Sequence, residues 1–177
     1  MSRQVPQVVF SHGRDGAPWG PKIRALAQVA RRQGFAVHSV DYRGMADPLE
    51  RVTRLQDVCR GLATPLVLVG SSLGGHVCTS VSRQVPVCGL FLLAPAFFMP
   101  GFEQYTPEPA DCPIVIVHGW NDAVVPVDNS IRYARQYRAA LHILDGDHSL
   151  MEQIEVICEL FEGFLRRIGG NETCSDA

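Results

Sequence analysis

The pentapeptide GSSLG at residues 70–74 is the part of this sequence best suited to covalent chemistry. It follows a short apolar run, residues 66–69, and precedes a segment that can form a helix. In a strand, sharp turn and helix of this kind, the serine of a G-x-S-x-G pattern acts as a nucleophile. The glycines are needed because only residues without a Cβ let the strand and the helix approach so closely. We therefore predict that Ser72 is the nucleophile and that the amide N–H of Leu73 faces the group it attacks.

The same pentapeptide has a simpler interpretation. In a chain with 16 glycines, the pattern can arise by chance as a turn that packs tightly or binds an anion at a helix N-terminus. Two features of the context favour the nucleophile. The preceding run is wholly apolar, as expected for a buried parallel strand. The segment also lacks the Lys-Ser/Thr ending of a phosphate-binding loop.

A serine hydroxyl needs a base that takes its proton, and that base needs a third group that fixes its tautomer. The sequence offers Asp122 and then His148, each directly after a predicted strand. His148 is the predicted base, because the other histidine beyond Asp122 is His142, which lies inside a predicted strand. Asp122 is the predicted acid.

Three other aspartates compete with Asp122 for this role. Asp128 is better placed as the N-cap or first-turn residue of the next helix. Asp145 and Asp147 lie too close to His148 along the chain to hold its ring from behind. The spacing therefore favours Asp122.

An oxyanion hole needs two donors aimed at the developing charge. The amide of Leu73 supplies one, and we predict that the amide of Arg14, in the turn after the first strand, supplies the other because Gly13 lets the backbone come close. The alternative is a glycine-containing turn with no part in the chemistry. His12 and His118 are interpreted as structural residues that bind neighbouring loops, and no metal site is predicted.

Composition limits the class of protein and of partner. The 177 residues suffice for one domain, and 46% hydrophobic with 19% charged residues indicates a globular chain. A net charge of −2 gives no reason to expect nucleic acid or an anionic membrane as a partner. We predict a small-molecule acyl ester or thioester as the partner, and a monomer or homodimer.

The cysteines and the N-terminus bear on the compartment. The six cysteines are scattered with no C-x-x-C spacing, and most are predicted to be buried free thiols. The N-terminus does not resemble a signal peptide, and no apolar run approaches the length of a membrane span. These features favour a cytoplasmic location.

The elements that must position these side chains alternate along the chain. Strands are predicted at residues 5–11, 36–42, 66–70, 89–95, 113–118 and 141–144, and helices at 21–33, 49–62, 73–83, 127–137 and 150–168. Such alternation predicts an α/β fold with a mostly parallel sheet of about six strands and helices on both faces. Ser72, Asp122 and His148 then follow strand ends, where ligands bind in such sheets.

The predicted domain spans residues 1–168, and a frayed tail is predicted at 169–177. The stretch from residue 96 to 112 has no regular pattern. Its apolar residues form either a small satellite core or an apolar wall for an acyl group; they are Phe97, Phe98, Met99, Phe102 and Tyr105.

Together these motifs resemble the α/β-hydrolase superfamily, over nearly the whole chain. The shared marks are His-Gly at residues 12–13, Asp-x-Arg-Gly at 41–44, the glycine-flanked serine at 70–75, Leu-Ala-Pro at 93–95, His-Gly-x-x-Asp-x-x-Val-Pro at 118–126 and Asp-His at 147–148. The resemblance implies Ser72 as nucleophile, Asp122 as acid and His148 as base. The chain looks like the small, single-domain esterase-like members, since it lacks their larger relatives' antiparallel edge and lid.

The predicted reaction is acyl transfer to water. A serine hydrolase with this triad would cleave ester bonds of small acyl substrates through an acyl-enzyme, with no metal or organic cofactor. Two alternatives stay open. The same triad can serve a thioesterase or a peptidase, because the chemistry is shared. A non-catalytic binding protein could also retain the fold.

Overall fold

The structure is a computed structural model, and it describes residues 5–63 and 66–170. Its strands are β1 (Gln7–Ser11), β2 (Ala36–Val40), β3 (Leu66–Ser71), β4 (Gly89–Leu93), β5 (Ile114–Gly119) and β6 (Ala140–Leu144). Its α-helices are α1 (Pro21–Arg32), α2 (Pro48–Arg60), α3 (Leu73–Ser82), α4 (Val127–Tyr137) and α5 (Ile154–Gly170). The predicted alternation of strands and helices is confirmed.

All six strands run parallel in one sheet of order β2-β1-β3-β4-β5-β6. The register pairs Ser11 with Gly70 and Gly119 with Leu144, so neighbouring strands end at similar heights. Because parallel strands share one carboxyl edge, the loops after β1, β3, β5 and β6 emerge on the same side of the molecule. This edge carries the residues that the sequence singled out.

The sheet has an apolar layer on each face. Helices α1 and α5 cover one face, where Val67 and Val69 of β3 point. Helices α2, α3 and α4 cover the other face, where Leu66 and Leu68 point. Burial on both faces explains why β3 is a continuous apolar run rather than an alternating one.

Several elements end earlier or later than predicted. β2 ends at Val40 rather than Tyr42, because the Tyr42 N–H donates to His12 Nε2 (3.1 Å) instead of to a strand. β4 ends at Leu93, because Ala94 turns to a left-handed φ of 42°. Helix α5 starts at Ile154, after a short 3₁₀ turn, and runs to Gly170 rather than 168.

The predicted tail therefore loses its first two residues to α5, and its remainder, 171–177, lies outside the described residues. The domain boundaries stay a prediction. The connection from β4 to β5, residues 94–113, contains one short 3₁₀ turn, Glu103–Tyr105, and no α-helix.

The buried face of helix α2 is not the face that its leucines and valines predict. Leu49, one of the predicted apolar positions, is 72% exposed, whereas Arg51 is 2% exposed. The buried face runs through Arg51, Leu55 and Cys59. A buried cation is tolerated here because three backbone carbonyls accept hydrogen bonds from its guanidinium.

The cysteines only partly follow the expectation. Cys59, Cys78, Cys112 and Cys158 are free thiols, whereas Cys88 is disulfide-bonded. Burial raises the pKa of Cys59 to about 12 and that of Cys112 to about 11, so both thiols stay protonated at neutral pH. Among the described residues, no helix combines the length and apolar character that crossing a bilayer requires.

Candidate active site

Ser72 lies in the turn between β3 and α3, with a φ of 54° and a ψ of −120°. A positive φ at a residue with a side chain costs about 1–3 kcal/mol and persists only where the surroundings enforce it. The glycines allow that turn. A Cβ on Gly70 would collide with the carbonyl oxygen of Gly74, and a Cβ on Gly74 would collide with that of Ser11.

The backbone of Ser72 is held from both sides. Its N–H donates to the carbonyl of Leu93 (2.9 Å), and its carbonyl accepts from the N–H groups of Gly75 (2.9 Å) and Ala96 (3.0 Å). These contacts fix the strained conformation. Leu73 is the first residue of α3, so its amide is one of the helix N–H groups that have no intrahelical acceptor.

Asp122 and His148 are hydrogen-bonded. The distance from His148 Nδ1 to Asp122 Oδ2 is 2.7 Å. A carboxylate can only accept, so Nδ1 carries the ring proton and Nε2 is left as the acceptor. This is the tautomer that a general base for a serine hydroxyl requires.

The side chain of Asp122 is fully buried, and each of its carboxylate oxygens has a partner. Oδ1 accepts from the N–H groups of Val124 and Val125, both at 2.8 Å. Burial alone would raise the pKa of Asp122, but the hydrogen bonds from His148, Val125 and Val124 outweigh it and lower that pKa. Asp122 is therefore an ionised, immobile acceptor at neutral pH.

His118 is a second imidazole on the same carboxylate. Its Nε2 lies 3.0 Å from Asp122 Oδ2 and 3.0 Å from the Val125 carbonyl, and its Nδ1 lies 2.7 Å from Ser130 Oγ. Two acceptors at Nε2 place the proton there, so Nδ1 accepts from the serine hydroxyl. Burial lowers the pKa of His118, which keeps the ring neutral. The structural interpretation of His118 is thus confirmed, but its contact with Asp122 was not foreseen.

Backbone contacts join the loops that carry Asp122 and His148. The Trp120 N–H donates to the Leu144 carbonyl (2.9 Å), and the Asn121 N–H donates to the Gly146 carbonyl (3.0 Å). A side-chain hydrogen bond also joins the two loops, from Asn121 Nδ2 to Asp145 Oδ1 at 2.9 Å. The two loops therefore keep a fixed relative position.

Lys22, in the first turn of α1, binds the loop of His148 from the other side. Its Nζ donates to the carbonyl of Ser149 at 2.7 Å. Burial lowers the pKa of Lys22 to about 8, although the charges of Asp147 and Asp122 oppose that shift. The first turn of α1 thus takes part in positioning the predicted base.

This depressed pKa of Lys22 predicts a pH effect on stability. Between pH about 8 and pH about 10.4, Lys22 is neutral in the folded protein but protonated in the unfolded chain. Because the unfolded state then binds more protons, the free energy of unfolding contributed by Lys22 rises with pH across that window. In urea titrations, wild type should gain stability relative to Lys22→Met between about pH 7 and about pH 9.5. An equal difference at both pH values would contradict the assignment.

Ser72 lies at the same sheet edge, and the turn after β1 packs against it. A Cβ built on Gly13 would lie 3.4 Å from Ser72 Cβ and 3.4 Å from the Ser71 carbonyl oxygen. Both Ser72 and His148 are described, and their side chains are not hydrogen-bonded to one another. Serine–histidine contacts of this kind are often loose without substrate and tighten in the complex.

The other aspartates lie where the sequence placed them. Asp128 is the acidic residue in the first turn of α4. Asp147 Oδ1 accepts from the N–H groups of Ser149 (2.9 Å) and Leu150 (3.2 Å), so it caps a turn. Neither carboxylate hydrogen-bonds the His148 ring.

Among the aromatic residues of the β4–β5 connection, Phe97 follows the core interpretation, and an apolar wall for an acyl group stays a prediction. Phe97 is fully buried and stacks on Tyr133 with ring centroids 3.9 Å apart, so it belongs to the core. The rings of Phe102 and Tyr105 are mostly exposed, and their centroids lie 6.4 Å apart.

His76 lies one turn after Ser72. Burial is the main cause that lowers the pKa of His76, although a hydrogen bond to the backbone of Ala96 opposes that shift.

Comparison with known proteins identifies the family. The model of the family described as "Alpha/beta hydrolase family" matches residues 8–121, well over half of the chain. The chain belongs to the alpha/beta hydrolase family. The family match contains Ser72 and its turn and ends one residue before Asp122, and the roles of Ser72, Asp122 and His148 stay predictions.

Solved structures of other proteins share this fold. A protein of Xanthomonas campestris pv. campestris, described as belonging to the alpha/beta superfamily of hydrolases, is 31% identical with a TM-score of 0.86, covering 92% of this chain and 99% of that one. Est1E from Butyrivibrio proteoclasticus is 19% identical with a TM-score of 0.84, covering 96% of this chain and 90% of that one.

A curated protein also matches part of the chain. The lysophosphatidylserine lipase ABHD12 of Xenopus tropicalis is 24% identical over 174 residues, covering 71% of this chain and 45% of the relative. This chain therefore spans less than half the length of that relative.

Proposed function

We propose that this alpha/beta hydrolase is a serine hydrolase that cleaves ester bonds of small acyl substrates. The observation that carries the proposal is the 2.7 Å hydrogen bond between Asp122 and His148, at the sheet edge where Ser72 is held in strained geometry. A buried carboxylate that fixes an imidazole with a free Nε2, at the same sheet edge as a half-buried serine, is the arrangement needed to activate that serine.

In the acylation step, Ser72 Oγ attacks the ester carbonyl carbon while its proton moves to His148 Nε2. A bond forms between Oγ and that carbon, and the carbonyl electrons pass to the oxygen. The amides of Leu73 and Arg14 donate to this oxyanion. The tetrahedral intermediate collapses when the carbon–oxygen bond of the ester breaks, and His148 returns the proton to the departing alcohol.

In the deacylation step, water replaces the alcohol. His148 Nε2 takes a proton from the water as the water oxygen forms a bond to the acyl carbon. The bond between that carbon and Ser72 Oγ then breaks, and His148 returns the proton to Ser72 Oγ. The products are a carboxylic acid and the original serine. Asp122 stays ionised throughout and stabilises the imidazolium, a role that its lowered pKa and its hydrogen bonds from Val124, Val125 and His148 favour.

Three observations support small acyl esters as the substrate class. The β4–β5 connection, residues 94–113, contains no α-helix that could form a helical lid over a larger substrate. Exposed apolar side chains beside Asp122, those of Trp120 and Val124, can contact a short acyl or alcohol group. The curated relative is named as a lipase, and lipases cleave ester bonds.

His148→Ala should lower kcat for p-nitrophenyl butyrate by on the order of 10⁴-fold or more with little change in KM, because the base acts in the transition state. It should also lose labelling by a fluorophosphonate. The matched control is His142→Ala, which removes the histidine within β6 and should keep wild-type turnover. Labelling of His148→Ala at the wild-type rate would assign the role of base to another residue.

Faster turnover of acyl-CoA thioesters than of the p-nitrophenyl ester by wild type would favour a thioesterase.

A further inference from the structure

Arg51 places a buried cation behind the turn that follows β1. Its guanidinium donates to three backbone carbonyls: Nη1 to Gly13 (3.1 Å), Nη2 to Arg14 (3.0 Å) and Nε to Met45 (2.8 Å). The side chain projects from α2, while the first two acceptors belong to the β1–α1 turn. Arg51 therefore joins that turn to the loop before α2.

The charge of Arg51 is compensated by dipoles rather than by a carboxylate. Among the described residues, no acidic side chain forms an ion pair with it, and the Tyr42 ring lies 5.3 Å from its central carbon. Burial lowers the pKa of Arg51, but the guanidinium stays protonated at neutral pH. A full positive charge thus lies directly against the carbonyls of Gly13 and Arg14.

The Gly13 carbonyl has three donors. Besides Arg51 Nη1, it accepts from His12 Nδ1 (2.7 Å) and from the Gly16 N–H (3.3 Å). His12 Nδ1 carries the proton because its Nε2 accepts from the Tyr42 N–H. The orientation of the peptide between Gly13 and Arg14 is therefore fixed.

That orientation decides where the Arg14 amide points. In a planar trans peptide the C=O and the N–H point in opposite directions. Since the Gly13 carbonyl points towards Arg51, the Arg14 N–H points away from it. Gly13 itself packs on the Ser72 side of the turn, 3.4 Å from Ser72 Cβ when a Cβ is built on it.

We propose that Arg51 is a positioning residue for the oxyanion hole, which it serves by orienting and polarising the Gly13–Arg14 peptide so that the Arg14 amide donates to the substrate oxyanion. This inference rests on the proposed function. The positive charge draws electron density towards the Gly13 oxygen and so strengthens the N–H at the other end of the same peptide. Arg51 acts through the peptide and does not touch the substrate.

The test compares Arg51→Met with wild type on a p-nitrophenyl ester and on its thiono analogue, whose sulfur accepts hydrogen bonds poorly. The matched control is Arg54→Met, which removes an exposed arginine of the same helix. We expect kcat for the ester to fall about 10- to 100-fold with KM within about twofold. For the thiono ester, kcat should fall by a smaller factor, so the kcat/KM for the ester falls relative to that for the thiono ester. Arg54→Met should leave the kcat/KM of both substrates unchanged.

Arg51→Lys is a second variant that keeps the proposal testable if Arg51→Met does not fold. Its lysine keeps the positive charge but donates to fewer carbonyls than the guanidinium does. Its kcat for the ester should lie between those of wild type and Arg51→Met. Equal losses on both substrates, or wild-type kcat in both folded variants, would overturn the role of Arg51. In either case wild type still hydrolyses the ester and reacts with a fluorophosphonate, whereas an unreactive wild type would mean that the proposed function itself is wrong.

Discussion

Ser72→Ala should lose ester hydrolysis, with kcat lower by on the order of 10⁶-fold and residual catalysis only from substrate binding and the oxyanion hole. The loss is this large because the variant removes the atom that forms the acyl-enzyme. The fold should be unaffected, since the backbone contacts of Ser72 to Leu93, Gly75 and Ala96 do not involve its hydroxyl. Steady-state kinetics on p-nitrophenyl butyrate, with circular dichroism as the check on folding, measures both.

Two further variants refine the result. Ser71→Ala removes the neighbouring hydroxyl and should keep wild-type turnover. Ser72→Gly should be as inactive as Ser72→Ala but more stable than it by about 1 kcal/mol, because glycine adopts a positive φ without strain. Turnover by Ser72→Ala within tenfold of wild type would remove Ser72 from the chemistry.

Asp122→Asn should lower kcat by on the order of 10⁴-fold while the protein stays folded. The N–H groups of Val124 and Val125 require an acceptor at the Oδ1 position, so the asparagine amide oxygen stays there. The new NH₂ group then faces His148 Nδ1 and His118 Nε2. His148 must accept at Nδ1 and carry its proton on Nε2, where it cannot take the proton of Ser72.

Asp128→Asn is the matched control for this substitution, because Asp128 is an aspartate in the first turn of α4 and is not hydrogen-bonded to His148. It should keep kcat within about twofold of wild type and lose only a helix-dipole contribution to stability, about 0.3–1 kcal/mol. Wild-type turnover in Asp122→Asn would show that another group orients the base.

Much of the fold could be predicted because local and tertiary preferences agree in this chain. The run from Leu66 to Val69 is apolar on both faces, which only a central parallel strand needs. The limits of α4, Val127–Tyr137, agree with the sequence prediction. Strand ends were less predictable: Tyr42 and Ala94 are held by contacts to residues distant in sequence, His12 and Val117.

The contact between Asp122 and His148 was foreseen from chain order, but the residues that support the site were not. His118 lies against the same carboxylate as His148 only because the chain after β5 turns back, which brings Asp122 beside His118, four residues earlier. Arg51 did carry a signal, since it lies four and eight residues before Leu55 and Cys59 on the buried face of α2. An arginine in an apolar stripe indicates buried acceptors, but the identity of those acceptors depends on the tertiary structure.

The most direct test of a nucleophilic Ser72 is intact-mass and peptide-mapping mass spectrometry after reaction with a fluorophosphonate. The account predicts one adduct per chain on the peptide that contains residues 70–74, located on Ser72, and no adduct on Ser72→Ala. An adduct on a different residue, or equal labelling of Ser72→Ala, would contradict it.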